Sequence, residues 1–511
     1  MAGSDVTNTE WTSDVRGVQA GGSAIETSAG GDAQHATDEG LSGGRGGQSG
    51  IVQDLTSAFA AKTWVPHKYQ ARGVDWLNER IAAGLFLPPG LGKSSISLAA
   101  ILKRRALGLN HRTLLLAPLM VCRTTWMTEP SKWGQFQGLK VGLAHGADKQ
   151  LILNDDYYDI VVMNYDGLEW AVPMLAKGHN FGILLCDEIT RLKNTSSKRY
   201  KLLKPILPSF GSRWGLTGTP AANGLMDLFG QCYVMDLGQR LGRFITHYRL
   251  KYFHQLPHDQ YRYYITPEKS RQLTEKLSDL AMYVAPEEWL DLPEFLVIPL
   301  PVDLESEVRK KYVFFEDEYM LNVEAGLVTA ANAGVLTAKL RQFTGGAIYT
   351  EQGVWESVGS AKLDRLDALI EELAGEPLMV AYQFDHEMQR IQARHPYALV
   401  LKGGMSAKAV EDAVHSWNSG NCPLLLVQPQ TAALGLNLQF GGAAICWFTL
   451  TYNLEEFIQL NKRLHRQGQK QSVRCYLLAA NKTIDQRVAS VLAKKDVVQN
   501  DVFEALRMRA S

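Results

Sequence analysis

Cysteine is scarce: the 511-residue chain has six, at 122, 186, 232, 422, 446 and 475, with no C-x-x-C pair and no histidine cluster beside any of them. That spacing argues against a zinc module and a disulfide framework, and suits small buried hydrophobes in a reducing compartment. Long apolar runs are missing too. No stretch approaches the roughly eighteen apolar residues of a membrane helix, and the N-terminus lacks the basic-then-apolar order of a secretion signal. Net charge is absent, with 53 Lys and Arg against 53 Asp and Glu. The balance is uneven, because the first fifty residues hold seven acidic side chains against Arg16 and Arg45. The remainder is therefore basic, which permits a nucleic-acid partner without requiring one. The expectation is a soluble, intracellular, cytoplasmic protein with no membrane partner.

What is present is an ordinary globular composition, 46% apolar, in a chain long enough for two or three domains. Residues 1–50 are rich in Gly, Ser, Thr and Ala and poor in large apolar side chains. Such a segment buries too little surface to offset its ordering entropy, so a disordered tail is expected there.

The chain is organised around Leu85 to Ser95, LFLPPGLGKSS. Three apolar residues suit a buried strand, the prolines and glycines make a turn, and SISLAAILKRRALG continues with helical periodicity. A strand, loop and helix of this kind aim backbone N–H groups at one point, which suits a polyphosphate. Lys93 would lie on the β- and γ-phosphates and the Ser94 hydroxyl on magnesium. The strict G-x-x-x-x-G-K-[ST] pattern is not met, since Leu87 stands where its first glycine belongs. A glycine turn capping an ordinary helix therefore stays open on this stretch alone.

Further continuous apolar strands alternate with helices: TLLLAP (113–118), DIVVMN (159–164), FGILLCDE (181–188) and RWGLTGTP (213–220). Such strands imply a parallel sheet covered on both faces, with its functional loops at the carboxyl ends. The third places Asp187 and Glu188 at the same edge as the phosphate loop, where one carboxylate can hold magnesium through water and the other accept a proton from attacking water. Two solvated acids at a strand end are the plainer alternative. LTGTP adds Thr217 and Thr219 on a glycine turn that could sense the γ-phosphate. Alternation resumes at PLMVAYQ (377–383), and between two late strands EEFIQLNKRLHRQGQ puts Gln459, Arg463 and Arg466 on one helical face. Upstream, Gln70 has an amide able to pair with an adenine edge. Between the alternating regions, 236–361 reads as a helical insertion rich in aromatics and charge, its Lys, Arg and Tyr residues more simply a packed, solvated face than a nucleic-acid track.

In order along the chain, KYQARGVDWL, PPGLGKSS, LLLAPLMVCRTTWMTE, VVMNYDGL, CDEITRLKN, LTGTP, LMVAYQFDHEMQRI, LLLVQPQTAALGLNLQ and QLNKRLHRQGQ resemble the motifs of helicase superfamily two, specifically the Swi/Snf-type duplex-DNA translocases. The resemblance spans about Val65 to Val488. It implies an α/β architecture of two tandem RecA-like lobes: residues 51–235 as the ATP-binding lobe, 236–361 as the helical insertion, and 362–511 as the second lobe. It implies ATP and Mg2+ as cofactors, with ATP held by Gln70, Pro89, Gly90, Leu91, Gly92, Lys93, Ser94, Ser95, Thr217, Thr219, Gly435, Asn437 and Gln459. Magnesium would sit on Ser94 and Asp187, and catalysis would fall to Lys93, Asp187, Glu188, Arg463 and Arg466. DNA, double-stranded, is the implied partner of a monomer, with Pro118, Arg191, Lys193, Asn194 and Thr431 as candidate backbone contacts. Three places depart from the family pattern: Ile189-Thr190 replace a small residue and histidine, Pro88-Pro89 replace an acidic pair, and Gln428-Pro429-Gln430 replace Ser-Thr-Arg. A strand-separating DNA or RNA helicase and an ATP-gated switch with little turnover are the rival expectations.

Overall fold

The computed structural model describes residues 62–510, apart from 110–111, 257–258, 286–287 and 325–329. The tail expected at 1–50 lies outside the described residues. Two all-parallel sheets dominate the rest. The first has seven strands: β1 (Ala82–Phe86), β2 (Arg112–Ala117), β3 (Val141–Leu143), β4 (Ile160–Asn164), β5 (Phe181–Asp187), β6 (Ser212–Thr217) and β7 (Ala281–Met282), in the order β3-β4-β2-β5-β6-β1-β7. The second has six: β8 (Phe295–Val302), β9 (Leu378–Ala381), β10 (Leu399–Leu401), β11 (Leu424–Val427), β12 (Ala444–Trp447) and β13 (Val473–Ala480), in the order β8-β13-β12-β9-β11-β10.

Strand periodicity explains why both sheets are buried on both faces. In β2 and β5, Leu114, Leu116, Leu184 and Cys186 point to one core, and Leu115, Ala117, Ile183 and Leu185 to the other. In the second sheet Met379, Leu425 and Ile445 face one core while Val380, Leu426 and Cys446 face its opposite. An uninterrupted apolar run is what a strand covered by helices on both sides requires. Registers align the strand ends, with Phe86 opposite Thr217 and Asp187 opposite Leu216. The loops that follow β1, β5 and β6 therefore open at one edge.

The stretch expected to be a helical insertion, 236–361, is mixed. It contains helices such as Ile245–Tyr252 and Ser306–Glu324, but it also supplies β7 to the first sheet and β8 to the second. The sequence FLVIPLPV of β8 hid a strand because prolines cannot donate to a ladder. As an edge strand paired on one side with β13, it can carry Pro299 and Pro301, whose shared parity turns both missing donors outward. At the C-terminus one helix, Ile484–Ala510, straps the two halves together. Ile484, Val488 and Leu492 join the core of the second sheet, whereas Val502, Phe503 and Leu506 join that of the first. Phe503 stacks on Tyr283 with ring centroids 4.2 Å apart and planes within 10°. No helix among the described residues is long and apolar enough to cross a membrane.

Candidate active site

The loop after β1 turns twice through left-handed glycines, Gly90 at φ 94° and Gly92 at φ 75°, before the helix α1 (Lys93–Ala106) begins. Gly92 is constrained twice over, since a Cβ there would lie 2.6 Å from Gln70 Nε2. Gln70 braces this loop: its Nε2 donates to Leu91 O at 3.4 Å and its Oε1 accepts from the His67 N–H at 2.9 Å. Tyr69 adds a second bond to Leu91 O at 3.2 Å. Leu91 is wholly buried, while Pro89 packs under the neighbouring turn, where a Cβ on Gly218 would come within 2.9 Å of its Cδ. The LTGTP turn is therefore built against the phosphate loop. Within it, Thr217 Oγ1 accepts from Thr219 N at 3.0 Å.

Lys93 reaches back over the loop, its Nζ donating to Leu87 O at 2.7 Å. Burial pushes its ammonium below the ordinary lysine value, with Glu188 and Asp187 opposing and Arg463 and Arg466 reinforcing the shift. Asp187 is 7% exposed and oriented from three sides. Trp126 Nε1 donates to its Oδ2 at 2.8 Å, the Glu188 N–H donates to its Oδ1 at 3.0 Å, and the Tyr165 hydroxyl donates to its backbone carbonyl at 2.8 Å. Burial raises its carboxyl, with Lys93 opposing. Glu188 takes a left-handed backbone at φ 53°, a strained state for a non-glycine residue and one often kept at active sites. Burial, with the Asp187 charge beside it, pushes the Glu188 carboxyl up to about 7, while Lys93 and Arg463 pull it back.

The second lobe meets this edge through helix α2 (Leu454–Leu464). Arg463 and Arg466 act electrostatically on Lys93, and Arg463 also on Glu188. Burial, then Arg466, lower the Arg463 guanidinium to about 10, with Glu188 opposing. Arg466 is fixed by Asn437, whose Oδ1 accepts from it at 2.6 Å. Three buried polar atoms at this convergence, Glu188 Oε2, Thr219 Oγ1 and Arg463 Nε, find no hydrogen-bond partner among the described residues. Unpaired buried polar atoms are costly, so a cluster of them lining one edge suits a polar, charged occupant.

Several other expected residues already have partners of their own. Ser95 is buried and donates to Glu129 Oε1 at 2.8 Å. Gln459 Nε2 donates to Glu455 Oε1 at 3.2 Å. Lys193 pairs with Asp227 at 3.0 Å and lies 3.8 Å from Glu455. Thr431 is 3% exposed, and its hydroxyl bonds back to Gln428 O. Arg191 and Asn194 are exposed and Pro118 half-buried. Gly435 sits where a Cβ would lie 3.7 Å from both Thr124 Oγ1 and Thr125 Oγ1, so loops of the two lobes adjoin there. Trp126, Glu129, Tyr165 and Glu455 were missed by sequence reasoning. For Trp126 the signal was present in CRTTWMTE, a tryptophan in the helical turns that follow the strand ending at Ala117; for Glu455 no local signal exists.

A model of the SNF2-related domain matches residues 69–237, and one of the helicase conserved C-terminal domain matches residues 361–468. The chain belongs to the SNF2-related helicase family. Its class is thus that of the ATP-dependent helicase enzymes. Protein p41 of Acyrthosiphon pisum secondary endosymbiont phage 1 is 31% identical over 88% of this chain and 100% of its own length. The uncharacterized ATP-dependent helicase of Mycoplasma pneumoniae is 25% identical, covering 84% of this chain and 41% of that protein. The DNA repair and recombination protein RAD54-like of Homo sapiens is 24% identical, covering 74% and 56%. This SNF2-related chain therefore spans the whole phage relative but about half or less of the two longer ones. The Sulfolobus solfataricus SWI2/SNF2 ATPase core in complex with dsDNA aligns over 87% of this chain and 95% of that one at 20% identity, with a TM-score of 0.42, too loose a likeness to carry an argument.

Proposed function

We propose that the chain hydrolyses Mg-ATP between its two lobes and uses the cycle to translocate along duplex DNA. The observation that carries this reading is that Arg463, on the second lobe, lies near enough to Lys93 and Glu188 on the first for their charges to interact, with its Nε and Glu188 Oε2 both buried and unpaired among the described residues. In the proposed reaction Gly90, Gly92, Lys93 and the start of α1 hold the phosphates through backbone N–H groups and one ammonium. Glu188, its carboxyl held near neutrality, takes the proton of the attacking water; the γ-phosphate leaves the β-phosphate oxygen, and Arg463 and Arg466 meet the charge spread over the transferring group. Asp187 and Ser94 would hold magnesium, which when bound neutralises phosphate charge. Each Asp187 oxygen already accepts one hydrogen bond and keeps a further lone pair for a metal-bound water, so the donor set fits. Because the arginines arrive from the other lobe, hydrolysis is efficient only in the closed arrangement, and loss of phosphate relaxes it.

The DNA would run across the adjoining loops of the two lobes, near Thr124, Thr125 and Gly435, with Pro118, Arg191 and Asn194 alongside and Arg123 exposed beside them. Contacts of this type go to phosphates and lose strength with salt. The relatives named for ATP-dependent helicase and DNA repair activity support the choice of substrate. The test is ATPase stimulation across duplex, fork, four-way junction, single strand and RNA, paired with triplex displacement and strand-separation assays. Duplex stimulation with triplex displacement and no unwinding supports translocation. Unwinding makes the chain a strand-separating helicase, and nucleotide-dependent DNA binding without turnover makes it a switch.

A further inference from the structure

The loop after Glu188 departs from the family pattern at Ile189-Thr190, and the structure shows what Thr190 touches. Thr190 is 3% exposed, in the short turn Ile189–Leu192, and its Oγ1 donates to Glu455 Oε1 at 3.0 Å across 265 residues of chain. Glu455 lies in the first turn of α2, its backbone N–H capped by Asn453 Oδ1 at 3.1 Å. The same carboxylate accepts from Gln459 Nε2 at 3.2 Å, and its other oxygen lies 3.8 Å from Lys193, which is tied to Asp227 at 3.0 Å. Glu455 thus gathers two side chains of the first lobe and one of its own helix. Arg463 stands eight residues further along that helix, a little over two turns and about 12 Å of axial rise. Glu455 is close enough to Glu188 for their charges to interact.

We propose that Thr190 and Glu455 are positioning residues: their hydrogen bond is a latch that seats the N-terminal end of α2 on the turn after Glu188 and so aims Arg463 at the phosphate site. The inference rests on the hydrolytic reading above. Two properties make the pair suitable. It starts two residues from the carboxylate it serves, and it ends on the rigid element that carries the arginine, so little slack intervenes. A hydroxyl and a carboxylate form a short, directional bond, and Lys193 neutralises the acid without displacing Thr190. Separating the lobes must break the Thr190 and Lys193 contacts, so the latch also measures closure.

The test pairs turnover with a distance. Cysteines introduced at Leu151 and Tyr397, exposed sites on the first and second lobes, take a fluorescent donor and acceptor; the six native cysteines are buried. Thr190→Val removes the hydroxyl and keeps the shape. It should lower DNA-stimulated kcat about tenfold, leave the KM for ATP within about twofold, and reduce energy transfer between the lobes. Thr190→Ser should restore both readouts, and Glu455→Ala, which also gives up Lys193 and Gln459, should lose at least as much as Thr190→Val. In the double variant the losses should not add, since one contact is removed twice. Unchanged kcat and transfer in Thr190→Val, additive losses in the double variant, or a serine that behaves like valine would each overturn the latch. Should the unmodified chain show no DNA-stimulated turnover, the functional reading fails, while the transfer measurement still decides whether the pair holds the lobes.

Discussion

Replacing Arg463 by alanine separates the chemistry from the binding. The guanidinium is buried enough for its pKa to fall to about 10, and its Nε has no partner among the described residues. It is therefore a desolvated charge kept at a place where no group of the first lobe pairs with that nitrogen. A charge of this kind, supplied to a phosphoryl group as it transfers, is worth about 10³ to 10⁵ in rate. At 1.36 kcal/mol per decade, the lower bound alone is about 4 kcal/mol of transition-state stabilisation. The groups proposed to hold the nucleotide in its ground state, Gly90, Gly92, Lys93 and Ser94, all belong to the first lobe. Arg463→Ala should thus lower kcat about a thousandfold or more while ATP affinity changes by less than about threefold. Arg463→Lys should recover a minority of the loss, because an ammonium keeps the charge and loses the planar fork. Phosphate release with saturating duplex DNA gives kcat, and titration with a fluorescent ATP analogue gives affinity. If Arg463→Ala keeps more than about a tenth of wild-type kcat in a preparation that Lys93→Ala inactivates, the arginine is not the finger. A loss confined to affinity would move its role to ground-state binding, which is equally fatal to the argument.

Gly92→Ala meets both a left-handed backbone and Gln70 Nε2 at 2.6 Å, so fluorescent-nucleotide binding should drop about tenfold or more, with a lower Tm, the left-handed strain alone costing about 1–2 kcal/mol. His386 is fully buried, both ring nitrogens lack partners among the described residues, and burial, with the Arg390 charge, pushes its pKa down to about 3. An unfolded histidine titrates near 6.5, so the stability tied to the neutral ring is complete above that value and falls as the pH drops toward the folded pKa. From pH 8 to pH 5 the loss should be about 2 kcal/mol in denaturant melts, and His386→Phe should flatten that slope; an unchanged slope would refute the assignment. Phe503→Ala removes a ring stacked on Tyr283 and should destabilise by about 3–5 kcal/mol, with earlier proteolytic release of the C-terminal segment. A melt within about 1 kcal/mol of wild type would show that the strap is not held there.

Much of the site was legible in the sequence because its chemistry is local: a strand, a glycine turn and a lysine are contiguous, and so are a buried strand and its terminal Asp187-Glu188. Parallel sheets amplify that legibility by collecting the ends of distant strands at one edge, as the registers of Phe86 with Thr217 and Asp187 with Leu216 do. Illegible features were those whose partner is chosen in three dimensions. Nothing around Thr190 announces Glu455, and nothing around Ser95 announces Glu129. The edge strand β8 was obscured by its prolines, since a strand with one open side can drop donors that an interior strand cannot. The departure at Ile189-Thr190 belongs to both groups. From sequence it reads as the replacement of a small residue and a histidine; in the fold the threonine carries a bond to the second lobe, and the acid that accepts it lies on the very helix that holds Arg463. A motif position is thus better described by the contact it must make than by the residue type that usually makes it. For this chain that view has a measurable form: Thr190→His should lower turnover as Thr190→Val does, because a larger ring cannot enter a seam already filled by Glu455, Lys193 and Gln459. Wild-type turnover in Thr190→His alone would show that the seam is loose and that no specific contact is required there.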